Sequence, residues 1–553
     1  MASEEERYQE AIRGLEMRVE QLGAEVSEIK RVEIKTPWGE SDLELRNIPG
    51  SRLSLKLLRA HAGMQDSYSI KKEEARKLLR VYGPDLLFDA TQHPGKHKMI
   101  DLLTNIATCK LPEARVKFVH HDPVETLPKD KEEVIRTHFG CGITPAYLYF
   151  ENQLEQNMQE LMEFPAPFGL TVRYAMKANS HSAILRIFNN MGAHFDVSSL
   201  GEAQRLMHAA HIPGKRAQLT SQVVPSKESL TELLKYEIDY TACSLRQLEI
   251  FGQVPESIRG RRVAVRFNPG IGSGWTKQTS TGGLTSSFGI YEHRDEIKAL
   301  LERYNLELDM VHLHIGSGAD PKKQEEAARL GIGILEEFPT ATRLSLGGGI
   351  KEARMGYETR TDIQDLGKPV AEALREFAVR TGRKIHLEIE PGTRAVANAV
   401  YLIGGVMDIV DTGQKGYTFV KLNIGMPHLT RPMLYGAQHP IFIVPRDKSD
   451  RGIGEYVFVG PCCESGDLLS PRVGKAEEVD VRRTITSRVG DIVAVGGAGA
   501  YTESMPVKNY NSFVDPMAFL ARKNGRVEVI RGVQGLRDLW VRERIPSDLM
   551  GAG

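Results

Sequence analysis

The sequence predicts an α/β protein: a (β/α)8 barrel followed by a C-terminal β-domain and preceded by an N-terminal helical extension. Between about residues 136 and 400, short β-branched or apolar segments alternate with helical patterns about eight times, which is typical of such a barrel. Beyond residue 400, strand-like segments replace the helical patterns. A doubly wound open sheet is the alternative, although no GxGxxG motif follows a first strand to favour it. The predicted domains are 1–135, 136–400 and 401–553.

The N-terminal extension begins with a heptad-like pattern. Its apolar residues are spaced three and four apart: Ile12, Leu15, Val19, Leu22, Val26 and Ile29. This spacing is typical of a short coiled coil, and equally of one amphipathic helix lying on its own protein. The rest of the extension is mixed in pattern, and a polar connector, HDPVETLPKDKEE, closes it.

The barrel region contains predicted strands and helices in alternation. The strand segments are TPAYLYF, LTVRYAMKAN, AHFDVSS, RAQLTSQVV, DYTACS, RVAVRFNPG, MVHLHIGSG, RLSLGGG and KIHLEIEPG. The helical patterns between them include SLGEAQRLMHAAH, KESLTELLKY, SLRQLEIFG and KKQEEAARLGIGILEEF. In the C-terminal domain the predicted strands are VYLIGGVMDIVD, GYTFVKLN, PIFIVP, EYVFVG, GDIVAVGGAGAY and GRVEVIRGV.

Composition excludes several classes of protein. The 553 residues carry 72 Lys plus Arg against 72 Asp plus Glu, so no net field attracts nucleic acid or an anionic membrane. Five scattered cysteines without a CxxC motif argue against a disulfide framework and against structural zinc. The first residues are acidic and lack the apolar core of a signal peptide, and no apolar segment is long enough to span a bilayer. We therefore expect a cytoplasmic protein without a metal site.

Chemistry in a (β/α)8 barrel lies at the carboxyl ends of the strands. The polar, charged and glycine residues predicted there are Lys177, Asp196, His314, Ser317, Gly347, Gly348, Gly349, Glu390 and Arg394. Taken singly, each has an ordinary structural interpretation: an edge lysine reaching solvent, a core histidine, a turn. Their combination is more informative.

Together these residue types meet the requirements of pyridoxal 5'-phosphate. A lysine amine can bond to an aldehyde, and a glycine run lets backbone N–H groups approach a phosphate. An imidazole can stack on a planar ring. A carboxylate can keep a pyridine nitrogen protonated, so that the ring withdraws electrons.

The motif order KAN, FDVSSLGE, RFNPG, HLHIGSG, LGGG, EPG, RPMLYGAQH, CESGD and GAY resembles the alanine-racemase-like (fold type III) pyridoxal-phosphate decarboxylases, in particular the diaminopimelate decarboxylases. The resemblance covers roughly residues 140–515 and leaves the first 130 or so residues unexplained. It implies a carboxy-lyase that acts at a D-configured centre, converting meso-diaminopimelate to L-lysine and carbon dioxide.

The resemblance also implies roles for individual residues. Lys177 is the lysine that bonds the cofactor, His314 stacks on it, and Glu390 faces the pyridine nitrogen. Asp196, Ser317, Gly347, Gly348, Gly349 and Tyr501 are expected to complete the cofactor site. Arg431 and Tyr435 match the residues that hold the distal carboxylate of the substrate.

The resemblance further implies a homodimer with shared active sites. Cys463 would donate the proton that replaces carbon dioxide, and the Cys463–Glu464 segment would complete the site of the neighbouring subunit. Glu464 and Tyr501 are therefore expected to contact substrate. The N-terminal heptads could add a higher oligomer.

Two departures from the family pattern concern the substrate. The family usually reads EPGR, whereas this chain reads EPGTR, with Thr393 at the arginine position and Arg394 one residue later. Ser287 stands where the family usually has lysine. If Arg394 reaches the substrate, meso-diaminopimelate is expected; if it points away, D-ornithine, D-lysine or a conjugated diamino acid becomes the alternative.

Two other functions are compatible with parts of the pattern. A racemase would use the same cofactor, but CESGD and RPMLYGA belong to decarboxylases. A regulatory homologue without cofactor would not need Lys177, His314, Glu390 and Cys463, all of which are retained.

Overall fold

The computed structural model describes residues 29–36, 39–44, 67–71, 113–120, 124, 126–272, 281–283, 285–318, 320–414, 416–447 and 451–550. The chain divides into two compact units, Met1–Val124 with Asp411–Tyr417, and Glu125–Val410 with Thr418–Gly553.

The first unit contains a four-stranded antiparallel sheet. Its strands are β1 (Ile29–Thr36), β2 (Gly39–Glu44), β3 (Ser67–Lys71) and β4 (Glu113–His120), in the order β2-β1-β4-β3. The predicted heptad helix lies outside the described residues, except for Ile29, which begins β1.

The second unit contains a closed barrel of eight parallel strands. They are β6 (Leu170–Ala175), β7 (His194–Val197), β8 (Ala217–Leu219), β9 (Asp239–Ala242), β10 (Arg262–Arg266), β11 (Glu307–His312), β12 (Arg343–Ser345) and β13 (His386–Ile389). Strand β13 pairs with β6 and closes the ring. The predicted barrel is confirmed, and the open-sheet alternative is wrong because that pairing leaves no free edge.

Helices connect these strands and cover the barrel. Their bounds are α1 (Lys129–Phe139), α2 (Glu151–Met162), α3 (Ser182–Asn190), α4 (Leu200–Gln204), α5 (Lys227–Leu234), α6 (Leu245–Gln253), α7 (Glu256–Arg259), α8 (Arg294–Arg303), α9 (Pro321–Glu337), α10 (Ile363–Thr381), α11 (Thr393–Val396) and α12 (Arg431–Tyr435). A π-turn, Arg205–Ala209, extends α4. Three of these helices, α4, α5 and α6, are capped at their N-termini by serines. Ser199, Ser226 and Ser244 each accept a hydrogen bond from a backbone N–H of the first helical turn.

A second, mixed sheet forms the β-domain. Its strands are β5 (Ala146–Phe150), β14 (Val400–Asp411), β15 (Thr418–Leu422), β16 (Ile441–Val444), β17 (Ile453–Val459), β20 (Arg482–Ile485), β21 (Ile492–Val495), β22 (Met517–Ala521) and β23 (Val527–Arg531), beside a small hairpin of β18 (Pro471–Arg472) and β19 (Lys475–Val479). The strand predicted from TPAYLYF forms as β5, but it pairs with β14 and β22 rather than with a barrel strand.

Two connections bring the β-domain to the carboxyl ends of the barrel strands. Strand β13 leads through Glu390 and α11 directly into β14, and the segment after β21 returns to the barrel. There the Tyr501 backbone N–H donates to Ala178 O over 2.8 Å. Asn179 adds side-chain hydrogen bonds to the Tyr149 hydroxyl (3.0 Å) and to Gly499 O (3.1 Å). These contacts fix Tyr501 beside the end of β6.

No helix within the described residues is long and apolar enough to cross a membrane.

Candidate active site

A cavity of about 230 Å³ lies at the carboxyl ends of the barrel strands. Ten of the sequence-predicted residues line it: Lys177, Asp196, His314, Ser317, Gly348, Gly349, Glu390, Arg431, Tyr435 and Tyr501. Thr393, at the first departure from the family pattern, lines it as well. Gly347 contacts His314 directly, as described below. Chain segments that are far apart in sequence therefore form one site.

Lys177 stands in a short 3₁₀ turn, Met176–Ala178, that follows β6. Its flanking residues Met176 and Ala178 are buried, whereas the lysine side chain is accessible through the cavity. Burial alone would lower the pKa of this amine, but the negative charge of Asp196, followed by Tyr501 and Glu390, raises the pKa above its ordinary value. Before it reacts with an aldehyde, the amine is thus a protonated ammonium group.

Asp196 and Glu390 are two buried carboxylates with opposite behaviour. Burial and the charge of Glu390 raise the pKa of Asp196 to about 6. Burial would also raise the pKa of Glu390, but His312 outweighs it and holds that pKa well below its ordinary value. Glu390 therefore stays negatively charged across the neutral range, whereas Asp196 loses its negative charge as the pH falls below about 6.

Neighbouring strand ends hold the Glu390 carboxylate in place. Ser345 Oγ donates to Oε1 over 3.0 Å, and Gln218 Nε2 lies 3.4 Å from the same oxygen. His312 Nε2 lies 3.1 Å from Oε2. His312 was not predicted from the sequence; the alternation in HLH, which places it on the same face of the strand as His314, was the available signal.

The triglycine segment packs against His314 and the end of β13. A Cβ atom on Gly347 would lie 2.7 Å from His314 Cβ, and one on Gly348 would lie 2.7 Å from Glu390 O. Gly347 and Gly349 have φ values of +65° and +94°, a region that side chains disfavour. Burial and the charge of Arg266 hold the pKa of His314 well below its ordinary value, so the imidazole is neutral.

These features fit pyridoxal phosphate. The glycines have no side chains to keep an anion such as a phosphate away from the backbone of this turn. Two buried polar atoms at the site, Asp196 Oδ1 and His314 Nδ1, have no hydrogen-bond partner among the described residues. A permanently charged carboxylate at Glu390 suits a protonated pyridine nitrogen.

Arg431 and Tyr435 lie on α12 at the β-domain side of the cavity. The Arg431 guanidinium carbon is 5.8 Å from the centre of the Tyr435 ring. Arg431 Nε is buried and has no hydrogen-bond partner among the described residues. The β-domain therefore contributes a cation to the lining of the cavity.

Arg394 does not reach this cavity. Its side chain is buried elsewhere, where Nη1 donates to Glu352 Oε2 over 2.6 Å and Nη2 bonds to Glu160. Thr393, by contrast, lines the cavity. Two carboxylates thus hold the guanidinium of Arg394 away from the residues that line the cavity.

Arg354 was not predicted but lines the cavity. It lies between β12 and α10, in a segment without regular periodicity, and no family motif includes it. Only the presence of a second arginine near the triglycine could have drawn attention to it.

Cys463 and Glu464 are exposed and are not among the described residues that line the cavity of their own chain. The Cys463 backbone N–H donates to Asn511 Oδ1 over 3.0 Å. Cys462 is different: burial and the adjacent Asp467 raise the pKa of its thiol to about 12. Ser287, at the second departure from the family pattern, is also exposed outside the cavity.

Comparison with known protein families matches the barrel and, separately, the N-terminal region. Residues 151–397 match the family described as pyridoxal-dependent decarboxylase, pyridoxal binding domain. Residues 18–116 match an uncharacterized protein family conserved in bacteria (DUF2322).

Curated relatives cover most of the chain. Diaminopimelate decarboxylase of Escherichia coli K12 is 31% identical over 416 residues, which are 73% of this chain and 94% of the relative. Diaminopimelate decarboxylase of Streptomyces coelicolor is 32% identical over 380 residues, or 67% of this chain and 82% of the relative.

Solved structures of similar proteins share the fold. A diaminopimelate decarboxylase crystal structure matches with a TM-score of 0.67 and 29% identity, covering 74% of this chain and 96% of that one. The Helicobacter pylori diaminopimelate decarboxylase complexed with L-lysine matches with a TM-score of 0.64 and 26% identity, covering 74% and 98%. On this evidence the chain belongs to the diaminopimelate decarboxylase family of pyridoxal-phosphate-dependent enzymes.

Proposed function

We propose that this enzyme removes carbon dioxide from the D-configured centre of meso-diaminopimelate and releases L-lysine. The observation that carries the proposal is one cavity with two chemically distinct sides. Lys177, Asp196 and Glu390 line the barrel side, and Arg431 with Tyr435 lines the other. A substrate with a reacting amino-acid centre at one end and a carboxylate at the other suits this arrangement.

Bound pyridoxal phosphate supplies an electron sink for the electron pair that stays on the substrate carbon when carbon dioxide leaves. The residues of the chain position and protect this chemistry. Lys177 provides the amine that bonds the cofactor, and Glu390 holds a negative charge at the barrel floor. We assign stacking on the flat ring of the cofactor to His314, whose neutral imidazole packs against the triglycine.

The remaining step is delivery of a proton to the reacting carbon, and we assign it to the thiol of Cys463 from a second subunit. Support comes from the exposure of Cys463 and Glu464 away from the cavity of their own chain. A homodimer with two shared sites follows from this assignment. We expect the enzyme to act in the cytoplasm, where a free thiol of this kind stays reduced.

The alternative substrates are D-lysine, D-ornithine or a conjugated diamino acid, and Thr393 at the cavity wall is the observation that favours them. A panel assay distinguishes the two proposals. The holoenzyme is offered meso-diaminopimelate, D-lysine, D-ornithine and L-lysine, and carbon dioxide and amine products are measured. We expect the highest kcat/KM with meso-diaminopimelate. Turnover confined to the monocarboxylic D-amino acids would favour the alternative, and turnover of L-lysine alone would contradict both.

A further inference from the structure

Thr393 stands where the family usually has an arginine that contacts the distal end of the substrate. The neighbouring Arg394 does not take over this contact. The Arg394 guanidinium is buried between Glu352 and Glu160. Separating a buried ion pair leaves an uncompensated charge, which is strongly destabilising. Arg394 therefore stays in its ion pairs when substrate binds.

The segment that holds Arg394 also provides another arginine. Glu352 accepts the hydrogen bond from Arg394 Nη1, and Arg354, two residues later, lines the cavity. Arg354 is anchored at three points along its length. Its backbone N–H donates to Glu358 Oε2 (2.6 Å), its Cγ packs over Gly497, and its Nε donates to Gly497 O (3.1 Å).

Gly497, which has no side chain, leaves the space through which the Arg354 side chain runs. Its φ of +64° disfavours a side chain, and a Cβ atom there would lie 2.8 Å from Arg354 Cγ. Past this anchor Arg354 Nη2 is buried without a hydrogen-bond partner among the described residues. A buried guanidinium N–H without a partner is costly, and a carboxylate is the acceptor that matches it best.

We propose that Arg354, together with Arg431, binds the distal carboxylate of the substrate and so replaces the arginine lost at Thr393. This inference rests on the proposed function, since it requires a substrate with a carboxylate at its distal end. Burial and the charge of Arg431 lower the pKa of Arg354 to about 9, which leaves it protonated at neutral pH. Glu358 offsets part of the positive charge of Arg354. In the proposed complex the guanidinium groups of Arg354 and Arg431 together face the single distal carboxylate of the substrate.

The test is equilibrium binding to the holoenzyme by isothermal titration calorimetry. L-Lysine retains the distal carboxylate, and cadaverine is the same molecule without it. We expect wild type to prefer L-lysine, and Arg354→Met to reduce that preference about ten- to hundredfold while cadaverine binding is unchanged. The matched control is Lys351→Met, which removes another positive charge from the cavity wall.

A preference that survives Arg354→Met, or that Lys351→Met reduces equally, would overturn this inference alone. A wild-type enzyme without any preference for L-lysine would overturn the proposed function as well. Thermal unfolding establishes that each variant is folded. Arg354→Gln, which removes the charge but keeps a polar side chain near Gly497, provides the same comparison if the methionine variant does not fold.

Discussion

Cys462 and Cys463 are adjacent in sequence but lie in different environments. The Cys462 thiol lies against Asp467, whose Oδ2 also accepts the Cys462 backbone N–H over 3.0 Å. That thiol is a structural group with a pKa near 12. Cys463 is exposed on its own chain and forms no disulfide among the described residues.

We therefore expect the two alanine substitutions to differ. Cys463→Ala should lower kcat by about a hundredfold or more, since a positioned proton donor contributes that much. Cys462→Ala should leave kcat close to wild type. Steady-state release of carbon dioxide measures both, and equal losses would contradict the assignment of Cys463.

Single residues also show where sequence-based prediction of the site was sufficient. Lys177, Asp196 and Glu390 end predicted strands, so the barrel topology alone brings them together. Arg394 and Arg354 could not be predicted in this way. Which of two arginines reaches the cavity depends on ion pairs with Glu352 and Glu160, residues that no local pattern connects to the site.

At the scale of elements, the triglycine turn after β12 lines the cofactor site and packs against residues that follow two other strands. These residues are His314 after β11 and Glu390 after β13. Gly348 does not have a positive φ, but it has no room for a side chain, because a Cβ there would lie only 2.7 Å from the carbonyl oxygen of Glu390. Backbone atoms cannot move aside as a flexible side chain can. Any side chain there displaces the turn from Glu390 and from His314.

Gly348→Ala should accordingly weaken pyridoxal phosphate binding about tenfold or more, since it displaces the backbone of the turn that we propose holds the phosphate. Equilibrium titration of the apoenzyme with the cofactor, followed by visible absorbance, measures this. Gly333→Ala in α9 is the control, because its Cβ meets no atom within 4 Å and an alanine favours the helix. Similar cofactor affinities in the two variants would contradict the assigned turn.

The elements also show a limit of sequence patterns. TPAYLYF has the composition of a buried strand, and all five residues of β5 are indeed buried. Its partners, β14 and β22, lie more than 200 residues away in sequence, and local alternation contains no information about them. The short strand β22 (MAFLA) was missed because five apolar residues do not distinguish a strand from a helix.

At the scale of the whole molecule, each proposed active site needs two chains. In the proposed dimer, Lys177 would come from the barrel of one subunit, and Cys463 with Glu464 would come from the β-domain of the other. Two inactive chains with different defects can then form one intact site in a mixed dimer.

Mixing Lys177→Ala with Cys463→Ala should restore activity to about a quarter of wild type at most, the value for random pairing of two chains in a two-fold dimer. Carbon dioxide release after subunit exchange measures the recovery. Exchange is verified separately with differently tagged chains. Complete exchange without any recovered activity would mean that each site is formed within one chain.

The cofactor bond to Lys177 is the feature on which the other assignments depend, and peptide mapping tests it most directly. The holoenzyme is reduced with borohydride, digested and examined by mass spectrometry. We expect the phosphopyridoxyl group on the peptide that contains Lys177, and none at this position in Lys177→Ala. A holoenzyme that is unlabelled, or labelled only at another lysine, would contradict the proposed active site.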